Sequence, residues 1–385
     1  MKDFLRIGIV GLGARGMDAV KRLPLVPGAQ IVAICDPASP IPRVITPNCA
    51  FFYGAEGYKA LCQQDLDLVY IATDWAHHVP VALEAMECGK AAAIEVPAAL
   101  TLEDCWRLVE TSEKTGLPCV QLENCIYGET EMLAQNLAEH GLFGNLVHAE
   151  SAYIHRLFGP GCALAEPWRV NWNLEHRGNQ YVTHALGPVC RILGIGRDDA
   201  LDYLVSLECD SFDFKAFARE QNLTTSAASM GDHNITLIRT RKGRTILLRH
   251  DVSSIRQRGR FLHIQGEKGI FLDEPLRIAF EPQRNPADLP KIYEIEWQKP
   301  DELAATRTKY MHPLWREHGA VAKTADKHGG MDYLMDLRLV DALRKGIPPD
   351  TDVYDLAETC SIAEISERSV SSRSTSIPIP SFRQQ

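Results

Sequence analysis

Leu5-Arg-Ile-Gly-Ile-Val10-Gly11-Leu-Gly13-Ala-Arg-Gly16 is the stretch that decides the fold. Its apolar start predicts a strand over 5–10, and the residues after the glycines predict a helix over 14–23. Glycines at 11, 13 and 16 allow a tight turn, bring backbone close to a pyrophosphate, and let the helix pack on the strand. The helix N-terminus then faces the phosphates. A second apolar run, 30–35, ends at Asp36. An acid about twenty residues beyond the glycines accepts a hydrogen bond from a ribose 2′-hydroxyl and repels a 2′-phosphate. The expected cofactor is therefore NAD rather than NADP, held in part by Gly11, Gly13, Gly16 and Asp36.

Further along the chain, apolar strands are expected at 67–72, 91–95 and 118–122, and helices at 77–88, 102–115 and 129–140. Such alternation gives a parallel sheet wrapped by helices, with ligands at the carboxyl ends of its strands. Thr73-Asp-Trp75 and Glu95-Val-Pro97 fall at such ends, so they should line the same crevice as Gly11. The pattern changes near residue 124. Strands are expected at 145–154, 201–208, 233–240, 244–252, 260–265 and 292–297, with a helix over 330–345. The predicted class is α/β: an N-terminal Rossmann doubly wound sheet, then an α+β domain with a large, mostly antiparallel open sheet. The expected divisions are 1–123, 124–370 and an extended tail, 371–385.

The chain has 385 residues, 45% of them hydrophobic, and a formal net charge of −9. That charge argues against a nucleic-acid partner, which needs a basic face. No apolar run has the length of a membrane span. Residues 1–4 run straight into the first strand without a signal-peptide pattern, and the 11 scattered cysteines read as reduced thiols. A cytoplasmic location is expected. His312, His318 and His328 fit no common ligand spacing, so no metal is expected.

Several further motifs sharpen the reading. They are Thr73-Asp-Trp75-Ala-His-His78, Glu123-Asn124-Cys-Ile-Tyr127, Gly178-Asn-Gln-Tyr181-Val-Thr-His184-Ala-Leu-Gly187-Pro, His250-Asp-Val-Ser-Ser254, His328-Gly-Gly-Met-Asp-Tyr333 and Pro348-Pro-Asp-Thr-Asp-Val-Tyr354. With them the chain resembles the Gfo/Idh/MocA oxidoreductases and, within that group, glycoside hydrolase family 109, the NAD-dependent α-N-acetylgalactosaminidases. The resemblance implies a redox detour. Hydride leaves carbon 3 of the sugar for NAD⁺, the ketone acidifies the carbon 2 proton, the carbon 1 substituent is eliminated, water adds, and the hydride returns. Dehydrogenases of the wider group carry Glu-Lys-Pro where this chain has Glu95-Val96-Pro97. Valine cannot move a proton, which weighs against the alternative, a sugar dehydrogenase that releases NADH.

By this resemblance Tyr181 and His184 carry the proton transfers, with their order left open. Trp75, His78, Glu95, Val96 and Asn124 contact the cofactor, and Arg15 sits on its adenosine side. Tyr153 and Arg169 join Tyr181 and His184 on the sugar. Tyr127 is either catalytic or structural. Two departures touch the substrate side. Ile255-Arg-Gln-Arg258 stands where the family has a tyrosine, and Tyr181-Val-Thr-His184-Ala185 replaces Tyr-Pro-Thr-His-Gly. A small carbohydrate or glycoside is the expected partner, with neither nucleic acid nor membrane, and a homodimer or higher homo-oligomer is possible.

Overall fold

Six parallel strands form the first sheet: β1 (Leu5–Val10), β2 (Ala29–Asp36), β3 (Ala50–Tyr53), β4 (Leu68–Ile71), β5 (Ala91–Ile94) and β6 (Cys119–Gln121), in the order β3-β2-β1-β4-β5-β6. The structure is a computed structural model and describes residues 2–37, 49–159, 162, 166–281 and 295–383. Chain direction across the sheet reverses between β1 and β4. At such a switch point the connecting loops part and leave a crevice beyond the strand ends. β4 and β5 are buried along their whole length, as strands covered on both faces must be.

The second sheet has eight strands. They are β7 (Leu146–Ile154), β8 (Leu201–Glu208), β9 (Asn234–Thr240), β10 (Thr245–Asp251), β11 (His263–Gly266), β12 (Gly269–Asp273), β13 (Leu276–Phe280) and β14 (Ile377–Pro378). Their order is β13-β12-β11-β7-β10-β9-β8-β14. Only the β7–β10 pair is parallel among the described pairs. β9 alternates buried and exposed residues throughout, the pattern of a sheet with one covered face. Helix Thr183–Leu193 packs on the covered face, burying Val182, Leu186 and Val189 against Leu204, Ile238 and Ile246.

Helix Val353–Ser371 ties the two sheets together. Leu356 and Cys360 sit in the core of the first sheet, whereas Ile362 and Ile365 sit in that of the second. Ser366 and Ser369 accept from the backbone N–H groups of Asn179 and Ser206. Residues after this helix pair with β8 and bury Phe382 beside Trp106.

Some elements were not foreseen. β3 is a four-residue edge strand, and β12 and β13 are five-residue strands, too short to establish a period. Of the predicted strand 292–297, residues 292–294 lie outside the described residues, and 295–297 form no regular structure. Among the described residues no helix is long and apolar enough to cross a membrane, and the cysteines are all free thiols.

Candidate active site

The glycine turn is shaped by contacts that no side chain would survive. Gly11 has φ +93°, and a Cβ there would lie 2.5 Å from the Ala72 carbonyl oxygen. A Cβ on Gly16 would overlap the Gly11 carbonyl. At Gly13 a Cβ would meet nothing within 4 Å, so this residue faces open space. Gly13 caps helix Ala14–Arg22 without a side-chain hydrogen bond, leaving the first N–H groups turned to the crevice. Asp36 closes the turn by accepting from the Leu12 N–H at 2.6 Å. These are the features a dinucleotide needs: a close backbone approach, unclaimed donors and a strand-end acid.

The crevice beyond the turn is a cavity of about 510 Å³ that runs from Asp36 past Trp75, His78, Glu95 and Val96 to Tyr181. Asp74 caps helix Trp75–Glu87 through the His77 N–H, which sets Trp75 at the crevice wall. His78 is buried, with Nδ1 2.9 Å from the Pro97 carbonyl oxygen and Nε2 3.2 Å from that of Thr73, and the neutral ring's single N–H donates to one of them. Burial pulls its pKa down to about 4, so it is a neutral, fixed wall. Val96 packs with Trp75 and Tyr181 in one apolar cluster.

Arg15 lines the cofactor crevice, and its guanidinium is held by two acids. The guanidinium spans Glu95 (Nε to Oε1, 2.9 Å) and Asp332 (2.9 and 3.0 Å). Asp332 also accepts from Asn124 Nδ2 at 2.7 Å and contacts His328 at 2.8 Å. Buried Arg22 lies behind it and pairs with Asp336 at 2.7 Å. Burial would raise the Asp332 pKa, but His328 and the two arginines hold it far below the usual carboxylate range. Asn124 and Arg15 thus meet through a carboxylate on a helix distant in sequence.

Tyr181 and His184 come together as expected, with ring centroids 5.2 Å apart. Helix Thr183–Leu193 starts between them, so they flank its first turn and do not share a helical face. Tyr153 on β7 completes the group, 4.7 Å from Tyr181 and 5.3 Å from His184. His184 Nδ1 lies 2.7 Å from Glu123 Oε1 and 3.3 Å from Cys125 Sγ. Burial disfavours a charged ring, but the Glu123 carboxylate at 2.7 Å outweighs it and lifts the His184 pKa above its ordinary value, while burial keeps the Cys125 thiol itself shifted upward. Glu123 shifts downward in turn, despite burial, because it faces that charge. Gly187 makes the pairing possible, since a Cβ there would lie 2.9 Å from Glu123 Cγ.

Tyr181, His184 and Tyr153 line a second cavity of about 650 Å³. It continues from the cofactor crevice through shared walls at Arg15, Glu95, Val96, Arg169 and Tyr181. Arg169 spreads over the rings of Trp75, Trp168 and Tyr181 at 5.0–5.6 Å. Tyr127 lies outside this cavity and donates to Asp350, a structural role. Sequence reading missed Glu123, Cys125 and Asp332 as site residues. Glu123 and Cys125 flank the quoted Asn124, but nothing local tells that they meet His184. These two and His184 also offer three metal-ligand atoms within 4.8 Å of one another. An intermediate divalent ion accepts such a set, although the Glu123–His184 hydrogen bond already engages two of the atoms.

Residues 127–385 match the family model of the glycosyl hydrolase 109 C-terminal domain, and residues 5–122 match that of the oxidoreductase family, NAD-binding Rossmann fold. A glycosyl hydrolase family 109 protein of Bacteroides fragilis (strain YCH46) is 41% identical across 99% of this chain and 85% of its own length. The chain belongs to glycosyl hydrolase family 109. A Porphyromonas gingivalis member matches equally, at 41% identity, 99% of this chain and 85% of its own. Among solved structures, a levoglucosan dehydrogenase in complex with NADH and L-sorbose shares the fold, with a TM-score of 0.72 and 16% identity over 98% and 99% of the two chains. An oxidoreductase domain protein from Kribbella flavida gives 0.73 and 17% over 98% and 100%. This family 109 member is an NAD-dependent enzyme acting on sugars.

Proposed function

We propose that this enzyme hydrolyses an α-linked N-acetylgalactosaminide, or a closely related glycoside, by transient oxidation at carbon 3, elimination, water addition and re-reduction. The observation that carries the reading is the proton-bearing His184–Glu123 pair beside Tyr181, with apolar Val96 where a dehydrogenase needs a lysine. Bound NAD supplies a hydride acceptor that becomes the donor in the closing step. Gly11, Gly13 and Asp36 hold it at the first strand ends, and Trp75, His78, Glu95 and Val96 wall the crevice toward the sugar.

The protein's own groups move the protons. His184, whose pKa is raised beside Glu123, gives its proton to the glycosidic oxygen as that bond breaks. Oxidation at carbon 3 frees the proton of its hydroxyl to solvent, and Tyr181, which lines both cavities, takes the carbon 2 proton as a phenolate whose own proton has first left to solvent. Water addition runs the same pair in reverse. Arg169 and Tyr153 present a donor fork and an aromatic face, which suit a ring with polar edges and apolar faces.

An aryl α-N-acetylgalactosaminide incubated with the enzyme and NAD⁺ in D₂O tests this. Phenol release with deuterium at carbon 2 of the freed sugar is expected. Release without deuterium would point to direct displacement, and NADH accumulation at 340 nm without phenol would point to a dehydrogenase. Tyr181→Phe and His184→Ala, both NAD-loaded, should each lose about 10²–10⁴-fold in kcat.

A further inference from the structure

The cations that line the sugar-side cavity are not all answered by acids. Arg15 is paired with Glu95 and Asp332, Arg260 with Glu131, and Lys327 with Asp18. Of the remaining acids, Glu129 is engaged by Arg307 and Lys323, and Glu274 accepts from the Arg260 N–H. Arg169 and Arg258 line the cavity without a carboxylate partner within 4 Å among the described residues. Arg169 lies over aromatic rings, and its buried Nε has no hydrogen-bond partner.

Arg258 is exposed at the mouth, and the residue after it is anchored. Gly259 exchanges hydrogen bonds with Ile154, N–H to O at 3.1 and 3.2 Å, between Tyr153 and His155 of the cavity wall. His155 has a buried, unpartnered Nδ1, and burial together with Arg258 lowers its pKa. The mouth therefore offers an uncompensated guanidinium near Tyr153, the tyrosine that contacts Tyr181 and His184.

We propose that the substrate carries a carboxylate on its leaving-group side, as in a glycoside of an acidic sugar, and that Arg258 binds it at the cavity mouth with Arg169 adding positive potential deeper in. The guanidinium fork matches a carboxylate in two parallel hydrogen bonds. A position on the leaving group follows from exposure: Tyr181 and His184 are buried around the bond to be cut, whereas Arg258 lies outward of them. This inference rests on the glycosidase reading for which side is which, and its binding test does not depend on turnover.

The test uses two aryl α-N-acetylgalactosaminides that differ only in a para carboxylate or a para carboxamide. Protein loaded with NADH cannot take the first hydride, so calorimetry reads binding without reaction. Wild type should bind the carboxylate about ten-fold tighter, the size of one charge-assisted hydrogen bond. The preference should shrink as salt rises. Arg258→Gln should bring the ratio near one, and Arg258→Lys should keep part of it. Equal binding by wild type, or a preference that survives Arg258→Gln, overturns the proposal. A retained preference in a protein that cleaves neither compound with NAD⁺ would count against the glycosidase reading alone.

Discussion

Two buried ionic clusters flank the crevice, and they are built alike yet serve differently. In one, Asp332 gathers Arg15, Arg22, Asn124 and His328. In the other, Glu123 holds His184 beside Cys125. Each sets a carboxylate against a cation away from water. Arginine cannot release its proton at any working pH, so Arg15 and Arg22 hold Asp332 ionised and fixed in place whatever His328 does. An imidazolium can release its proton, so the Glu123 cluster is a proton store with a fixed address. The difference lies in the cation, and it tells which carboxylate belongs to architecture and which to chemistry.

The largest expected effect breaks the architectural cluster. Asp332→Asn leaves Arg15 and Arg22 buried with too little negative charge, which should cost about 3–5 kcal/mol of stability. Thermal unfolding would show this, and the alkaline limb of the activity profile should keep its midpoint. A shifted limb would mean that the two clusters are not separate.

Glu123→Gln should do the reverse. It keeps the shape and removes the charge that holds the His184 proton. A fall of about 10²–10³-fold in kcat at neutral pH is expected, with the alkaline limb moved to lower pH. The sign of the linkage follows from the shifts. A histidine pKa raised on folding stabilises fully below the unfolded value of about 6.5 and loses that contribution as pH rises through the folded value. The lowered Glu123 contributes above its unfolded value of about 4.3 and loses it as pH falls through the folded one. The pair is therefore intact across the neutral range, and unfolding curves from acid to alkaline pH would show both losses flattened in Glu123→Gln.

Smaller effects sharpen the contrast. Gly187→Ala pushes a methyl against Glu123 Cγ. It should cost about 1–3 kcal/mol of stability and lower kcat without changing cofactor affinity. Asp36→Ser removes a charged acceptor from the cofactor turn and should weaken NAD binding by about ten-fold, read by titration of bound dinucleotide. Neither variant should move the alkaline limb as far as Glu123→Gln.

The parallel sheet was legible because its strands are apolar runs broken at regular intervals by helices, and every predicted strand from 5–10 to 118–122 has its counterpart. The short β3, β12 and β13 were not, because four or five residues carry too little period. Helix Pro167–Glu175 stayed hidden as well. Its Trp-Arg-Val-Asn-Trp core reads as an aromatic cluster, and nine residues carry too few turns to establish a helical period. Arg15 was legible as a cofactor-turn residue, but the direction of its side chain was not.

The sequence alone determined the cofactor turn. Gly11, Gly13, Gly16 and Asp36 act through positive φ, missing Cβ atoms and a strand end, which are short-range steric facts written in adjacent residues. The tertiary structure decided which acid serves which base. Glu123 meets His184 across 61 positions and Asp332 meets Arg15 across 317. Each meeting depends on how helices and sheets pack, and an ionic contact formed that way leaves no periodic trace in the chain.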